Sequence, residues 1–204
     1  MGKPQEINVI ICGVGGQGVI LISEILGNAA VKDELAVTGS EVHGMAARGG
    51  SVSSHVRIGK GALAPTVPAG KCDILVAMEP AEALRNVSYL SPSSVVLLNT
   101  RIILPSTISL GKSTYPRLET IVEKLTVFSG QVIALDVFHI AEEAGSVLAA
   151  NTAMIGALLG SGKLPVSVES VKEEIEARFG TKASRVNLEA FALGYQRCRA
   201  SMER

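Results

Sequence analysis

The feature that most restricts this chain is the segment Gly13-Val14-Gly15-Gly16-Gln17-Gly18. It follows a short β-branched run, Ile7 to Ile11, and leads into Gln17 to Lys32, where Val19, Ile22, Leu26 and Ala30 recur at helical spacing. A strand, a glycine turn and a helix in that order put Gly13, Gly15 and Gly18 on the GxGxxG pattern. Glycines admit positive φ and close backbone approach, and free N–H groups beside the positive end of a helix dipole favour an anion. Gly13, Gly15, Gly16, Gln17 and Gly18 are therefore the candidate anion-facing or cofactor-binding residues. The same glycines would equally serve a tight turn that packs helix on strand.

Downstream, apolar patterning alternates between the two regular periods. Ser51 to Ile58 reads as a strand with Val52, Ser54, Val56 and Ile58 on one face. Ser53, His55 and Arg57 on the other suggest water or a partner there. Ile74 to Met78 is apolar throughout, as in a strand covered on both sides, and Glu79-Pro80 opens a short helix reaching about Leu90. Val95 to Leu98 and Val132 to Leu135 are further strands, separated by a helix carrying Leu118, Ile121, Val122 and Leu125 after Pro116.

Ala144 to Gly162 lacks charge and reaches transmembrane length, but Ser146, Asn151, Thr152 and four glycines make it a poor span. It reads as a fully buried helix, with Gly156 and Gly160 letting a neighbour approach. Ser167 then caps a helix that Gly180 ends, with Glu174 and Arg178 as an i,i+4 pair, and Ala183 to about Ala200 forms the last helix. The expected fold is α/β: a Rossmann-like, doubly wound, mostly parallel sheet with a helical C-terminal third. Residues 1–204 are expected to form a single domain, with 151–204 as its helical part.

Composition removes several function classes. Lys plus Arg number 19 and Asp plus Glu 19, and there are only three Tyr, four Phe and no Trp, so neither charge nor stacking surface favours nucleic acid. Membrane association is not expected either. Cys12, Cys72 and Cys198 are odd in number and far apart, which fits reduced, buried thiols better than a disulfide framework or a metal or cluster site. With no apolar leader-like region at the N-terminus, and Glu6 where a myristoylation signal wants Ser or Thr, a cytoplasmic location is expected.

A second segment, Ser40 to Gly50, concentrates charge, imidazole, thioether and guanidinium in what reads as a loop entering a strand. Glu41, His43, Met45, Arg48, Gly49 and Gly50 are the candidate partner- or substrate-facing residues. Arg48 between small residues suits an anionic fork. His43 and His55 have no ligand-like spacing with Glu41, so no metal site is expected. Glu41 is also the nearest acid that could hold a ribose hydroxyl, which leaves a free-standing NAD- or FAD-binding Rossmann-type protein as an alternative.

The glycine turn and the stretch Ser40-Glu-Val-His-Gly-Met-Ala-Ala-Arg-Gly-Gly50 together resemble the small subunits of the 2-oxoacid:ferredoxin oxidoreductases, above all the indolepyruvate (arylpyruvate) beta-subunit branch. The likeness continues through Asp73 to Leu84, Asn151 to Leu158 and Asn187 to Gly194. It departs at Ala47, where that branch often carries Gln. A gamma subunit of a pyruvate or 2-oxoglutarate ferredoxin oxidoreductase is the neighbouring reading. The resemblance implies thiamine-dependent oxidative decarboxylation to an acyl-CoA, carried out by an oxidoreductase in which this chain is a non-autonomous subunit. The chain has no Gly-Asp-Gly thiamine segment and no closely spaced cysteines. Thiamine diphosphate, Mg and the 4Fe-4S clusters are therefore expected on a large (alpha) subunit, with ferredoxin and coenzyme A as partners of the complex. No catalytic residue is expected here; coenzyme A is a candidate contact, and the isolated chain is expected to self-associate.

Arg48 yields a test. Arg48→Ala should change stability by no more than about 0.5 kcal/mol, as for an exposed Arg. It should still weaken assembly or turnover with the large subunit, and Arg48→Lys should restore only part, because an ammonium lacks the planar fork. Thermal unfolding of the chain beside activity of the reconstituted enzyme makes the comparison.

Overall fold

The computed structural model describes residues 6–44, 49–104 and 114–203. Its strands are β1 (Ile7–Val14), β2 (Val37–His43), β3 (Ser51–Ile58), β4 (Ile74–Ala77), β5 (Val95–Asn99) and β6 (Gln131–Leu135), and they form one sheet in the order β2-β3-β1-β4-β5-β6. β1, β4, β5 and β6 pair in parallel, while β3 runs antiparallel to both β1 and β2. The expected α/β class, with a mostly parallel sheet and a helical C-terminal third, is what the chain adopts.

Alternation along the strands divides the core in two. Val9 and Ile11 of β1 face one cluster, shared with Ile74, Val76 and Leu97, and Ile10 and Cys12 face the other, shared with Leu75, Val96 and Leu98. The first side is covered by α1 (Val19–Lys32), α5 (Ala150–Gly160) and α6 (Val168–Met202). The second is covered by α2 (Pro80–Arg85) and α3 (Leu118–Phe128), and α4 (Val137–Glu143) follows β6. Side chains cap the starts of α2, α4 and α6: Glu79 accepts from the N–H groups of Ala81 and Glu82, Asp136 from Phe138 and His139, and Ser167 from Ser170. Gly180 adopts φ 64°, ψ 170° inside α6 and breaks it into two helical runs.

Three expectations are corrected. The uncharged stretch from Ala144 is not one buried helix: a 3-10 turn at Val147–Ala149 precedes α5, and Leu148 is 85% exposed. Most of the polar face of β3 is taken up inside the chain and not by water: Arg57 is buried against Glu6, Asn8 and the Ala64 and Thr66 carbonyls, His55 Nδ1 accepts from the Val67 N–H, and Ser53 is half-buried. Arg178 and Glu174 do not pair with each other. Arg178 reaches Glu24 and Glu174 reaches Lys32, so both tie α6 to α1. Among the described residues no helix is long and apolar enough to cross a membrane.

Glycines set how closely α5 and α6 approach. A Cβ on Gly156 would collide with the Phe191 carbonyl, and one on Gly194 with the Ala153 carbonyl. Backbone cannot yield as a side chain can, so Gly194→Ala should destabilise the protein by about 1–3 kcal/mol. Gly27, inside α1, has nothing within 4 Å of its would-be Cβ. Gly27→Ala should therefore stabilise by about 0.5–1 kcal/mol, and the two urea midpoints should move in opposite directions.

Candidate functional site

The carboxyl edge of the parallel strands is joined by buried amides. Gln17 Nε2 donates to the Met78 carbonyl at 2.8 Å while its Oε1 accepts from the Val14 N–H at 2.8 Å. Asn99 Nδ2 donates to the same Met78 oxygen at 2.9 Å, and its Oδ1 accepts from the Val137 N–H at 3.3 Å. One line of hydrogen bonds thus crosses from the end of β1 past β4 and β5 to α4. Gln17 is 7% exposed, and both ends of its amide brace the turn from within. Gly13 is also structural, since a Cβ there would lie 2.7 Å from Gln17 Oε1 and 3.1 Å from Met78 Cβ.

Over this edge, where the chain leaves β1 into α1 and β4 into α2 on opposite sides of the sheet, lies a crevice of about 440 Å³. Gly15, Gly16, Gln17 and Gly49 line it, together with Ile103, Phe138, Leu148 and Asn151. Gly16 at φ 99° and Gly18 at φ 72° hold left-handed backbone that favours glycine. Asn151 lies against Gly18, closer than a Cβ would allow. The turn's N–H groups are only partly free: Gly15 donates to the Gly50 carbonyl and Gln17 to that of Val14. Among the described residues, the N–H groups of Gly16, Gly18 and Val19 have no acceptor, and α1 has no side-chain cap. An uncapped helix start with donors aimed outward can hold an anion.

The second candidate segment is divided. Ser40, Glu41, Val42 and His43 belong to β2, so the expected loop is a hairpin whose first strand reaches His43. Glu41 and His43 pair with each other at 3.2 Å on this edge strand, and Glu41 lines a different groove, between α1 and the hairpin. The hairpin tip does come to the crevice: the Gly15 N–H donates to Gly50 O at 2.8 Å and the Gly49 N–H to Gly15 O at 3.3 Å. Met45 and Arg48 lie outside the described residues.

Other polar groups at this edge escaped the sequence reading. Arg101, just beyond β5, stacks 4.8 Å above the Phe138 ring and sits 3.4 Å from Glu142. Its signal was its place immediately past the end of a parallel strand. Glu79 and Glu82 are 1% and 5% exposed, and Tyr115 donates to Glu79 at 2.5 Å. Charge buried at a helix start is conspicuous only once burial is known. The three cysteines are free and buried, and burial pushes Cys198 up to about 11 and Cys72 up to about 12, so these thiols stay protonated at neutral pH.

The comparisons with known proteins meet this geometry. The family model for pyruvate ferredoxin/flavodoxin oxidoreductase matches residues 8–197. The indolepyruvate oxidoreductase subunit IorB of Archaeoglobus fulgidus is 42% identical over 94% of both chains. The pyruvate/ketoisovalerate oxidoreductases common subunit gamma of Thermococcus kodakarensis is 27% identical over 91% of this chain and 95% of its own. A structure of the 2-oxoglutarate:ferredoxin oxidoreductase of Magnetococcus marinus, with 2-oxoglutarate, coenzyme A and succinyl-CoA bound, superposes with a TM-score of 0.74 at 18% identity. The match covers 97% of this chain and 32% of that one, and it speaks to the fold alone. With a family model spanning nearly its whole length and a relative more than two-fifths identical from end to end, the chain belongs to the pyruvate ferredoxin/flavodoxin oxidoreductase family.

Proposed function

We propose that the chain is the small subunit of a cytoplasmic indolepyruvate (arylpyruvate):ferredoxin oxidoreductase. The observation that carries this reading is the fall in identity from 42% with the indolepyruvate subunit to 27% with the pyruvate/ketoisovalerate subunit at similar coverage. Thiamine diphosphate with Mg and the 4Fe-4S clusters, on the large subunit, would supply the decarboxylation and the passage of electrons to ferredoxin. This chain's own residues shape and shield a site.

The crevice is read as facing an anionic group, with a phosphate of coenzyme A as the candidate. Gly16 and Gly18 would offer N–H groups, Asn151 an amide and Arg101 the positive charge. Ile102, Ile103, Leu104 and Leu148, all exposed, continue the crevice walls and are read as the face covered by the large subunit. A free-standing dinucleotide-binding protein fits less well. β3 stands between β2 and β1, and Glu41 lines another groove.

The chain and its large subunit, each produced alone, should be inactive. Mixed, they should reduce ferredoxin with indolepyruvate and coenzyme A, and turnover with pyruvate or 2-oxoglutarate alone would instead favour the gamma-subunit reading. In the mixed enzyme Arg101→Ala should raise the KM for coenzyme A about ten-fold, the size of one lost charge-assisted hydrogen bond, and leave the KM for the 2-oxoacid nearly unchanged. Equal changes in both would remove Arg101 from the anion site.

A further inference from the structure

Two loops wall the crevice, one on each side of the glycine turn. The hairpin tip supplies Gly49 and the segment after β5 supplies Ile103. Both lead back to α2. The Ser51 hydroxyl, at the foot of the hairpin tip, donates to Glu82 Oε2 at 2.5 Å. On the other side, the Tyr115 hydroxyl donates to Glu79 Oε1 at 2.5 Å and the Ile103 N–H reaches the same oxygen at 3.4 Å. Glu79 and Glu82 stand three residues apart at the start of one short helix, which follows β4 closely.

We infer that Glu79 and Glu82 are positioning residues that together fix the two walls of the crevice, Glu82 through Ser51 and Glu79 through Tyr115 and Ile103. A neutral core could fill the same space without desolvating two carboxylates, so their presence needs a compensating bond on each. Glu79 has its helix N–H groups and the phenol. Among the described residues, the Glu82 carboxylate has the Ser51 hydroxyl and Arg85, at 3.1 Å, whose side chain is 65% exposed. Burial pushes the Glu82 carboxyl up, with Ser51 and Arg85 pulling it back and Glu79 pushing it further. The Ser51 bond then passes along the backbone. Gly50 accepts from Gly15 and Gly49 donates to it, so a shift at Ser51 reaches the glycine turn within two residues.

The assignment of the crevice to the enzyme's anion site rests on the function proposed above, but the positioning role can be read without a large subunit or substrate. Amide hydrogen exchange, resolved residue by residue on the full chain, is the measurement. Ser51→Ala removes one hydroxyl from an exposed position and leaves α2 intact. It should speed exchange at Gly15, Gly44 and Gly49 about ten-fold, with β4 and β5 unchanged. Tyr115→Phe should do the same at Ile103. Glu82→Gln, which still accepts from Ser51, should keep the tip protected, and Glu82→Ala should not. Unchanged exchange at Gly15 and Gly49 in Ser51→Ala, or a rise spread evenly over the sheet, would overturn the inference whatever the enzyme assays give. Local loosening without a change in coenzyme A kinetics in the reconstituted enzyme would leave the positioning role standing and remove the anion assignment.

Discussion

The line of side-chain amides along the carboxyl edge of the sheet is the constraint on which the rest depends. Parallel strands end with carbonyl and N–H groups that no neighbouring strand can satisfy, and here the helices leave at once over an apolar core. Gln17 and Asn99 meet that need with both ends of their amides, converging on the Met78 carbonyl. Each such buried bond contributes only about 1 kcal/mol net, but leaving its partners unmet would cost about 1–3 kcal/mol. The asymmetry makes the edge rigid. A glycine turn, flexible by composition, is thereby held in one conformation.

The reversed strand β3 completes the arrangement. Running antiparallel to β1, it starts beside the end of β1, pairing Ser51 with Val14, and so delivers the hairpin tip to the glycine turn. A parallel strand in that position would have sent the tip to the opposite edge. The same reversal buries His55 and Arg57 beneath the segment that follows β3, where the guanidinium is matched by Glu6, Asn8 and two carbonyls. Burying a charge is tolerable only with that degree of satisfaction.

Much of this was legible in the sequence, for identifiable reasons. β4 and β5 are apolar runs because both of their faces are buried, and the α5–α6 contact was announced by Gly156 and Gly160. β2 was not legible: Thr38-Gly39-Ser40 lacks apolar alternation, and the strand exists through its pairing with β3. Nor could the sequence reveal what Arg57 meets, since its partners lie up to 51 residues away. The glycine turn was legible as a turn, but not how its residues divide between bracing the sheet edge and lining the crevice. Gln17 occupies a position that motif logic assigns to a ligand, and only the Met78 carbonyl, 61 residues on, explains it.

Electrostatics bear on what the proposed cover would do for the crevice. Arg101 is the described cation beside its wall, and with its side chain 40% exposed it faces water as much as protein. In that setting a charge contributes little, because high dielectric and salt screen it and Glu142 competes for it. The helix start below is similarly weakened by solvent. Once exposed apolar residues such as Ile103 and Leu148 are covered, water leaves and the same charge and donors act through a medium of lower dielectric, where each interaction is several times stronger. An open, weakly charged crevice with apolar walls therefore fits the proposed role of a chain completed by a larger subunit: buried bonds set its geometry in advance, and the proposed cover would supply the electrostatic strength.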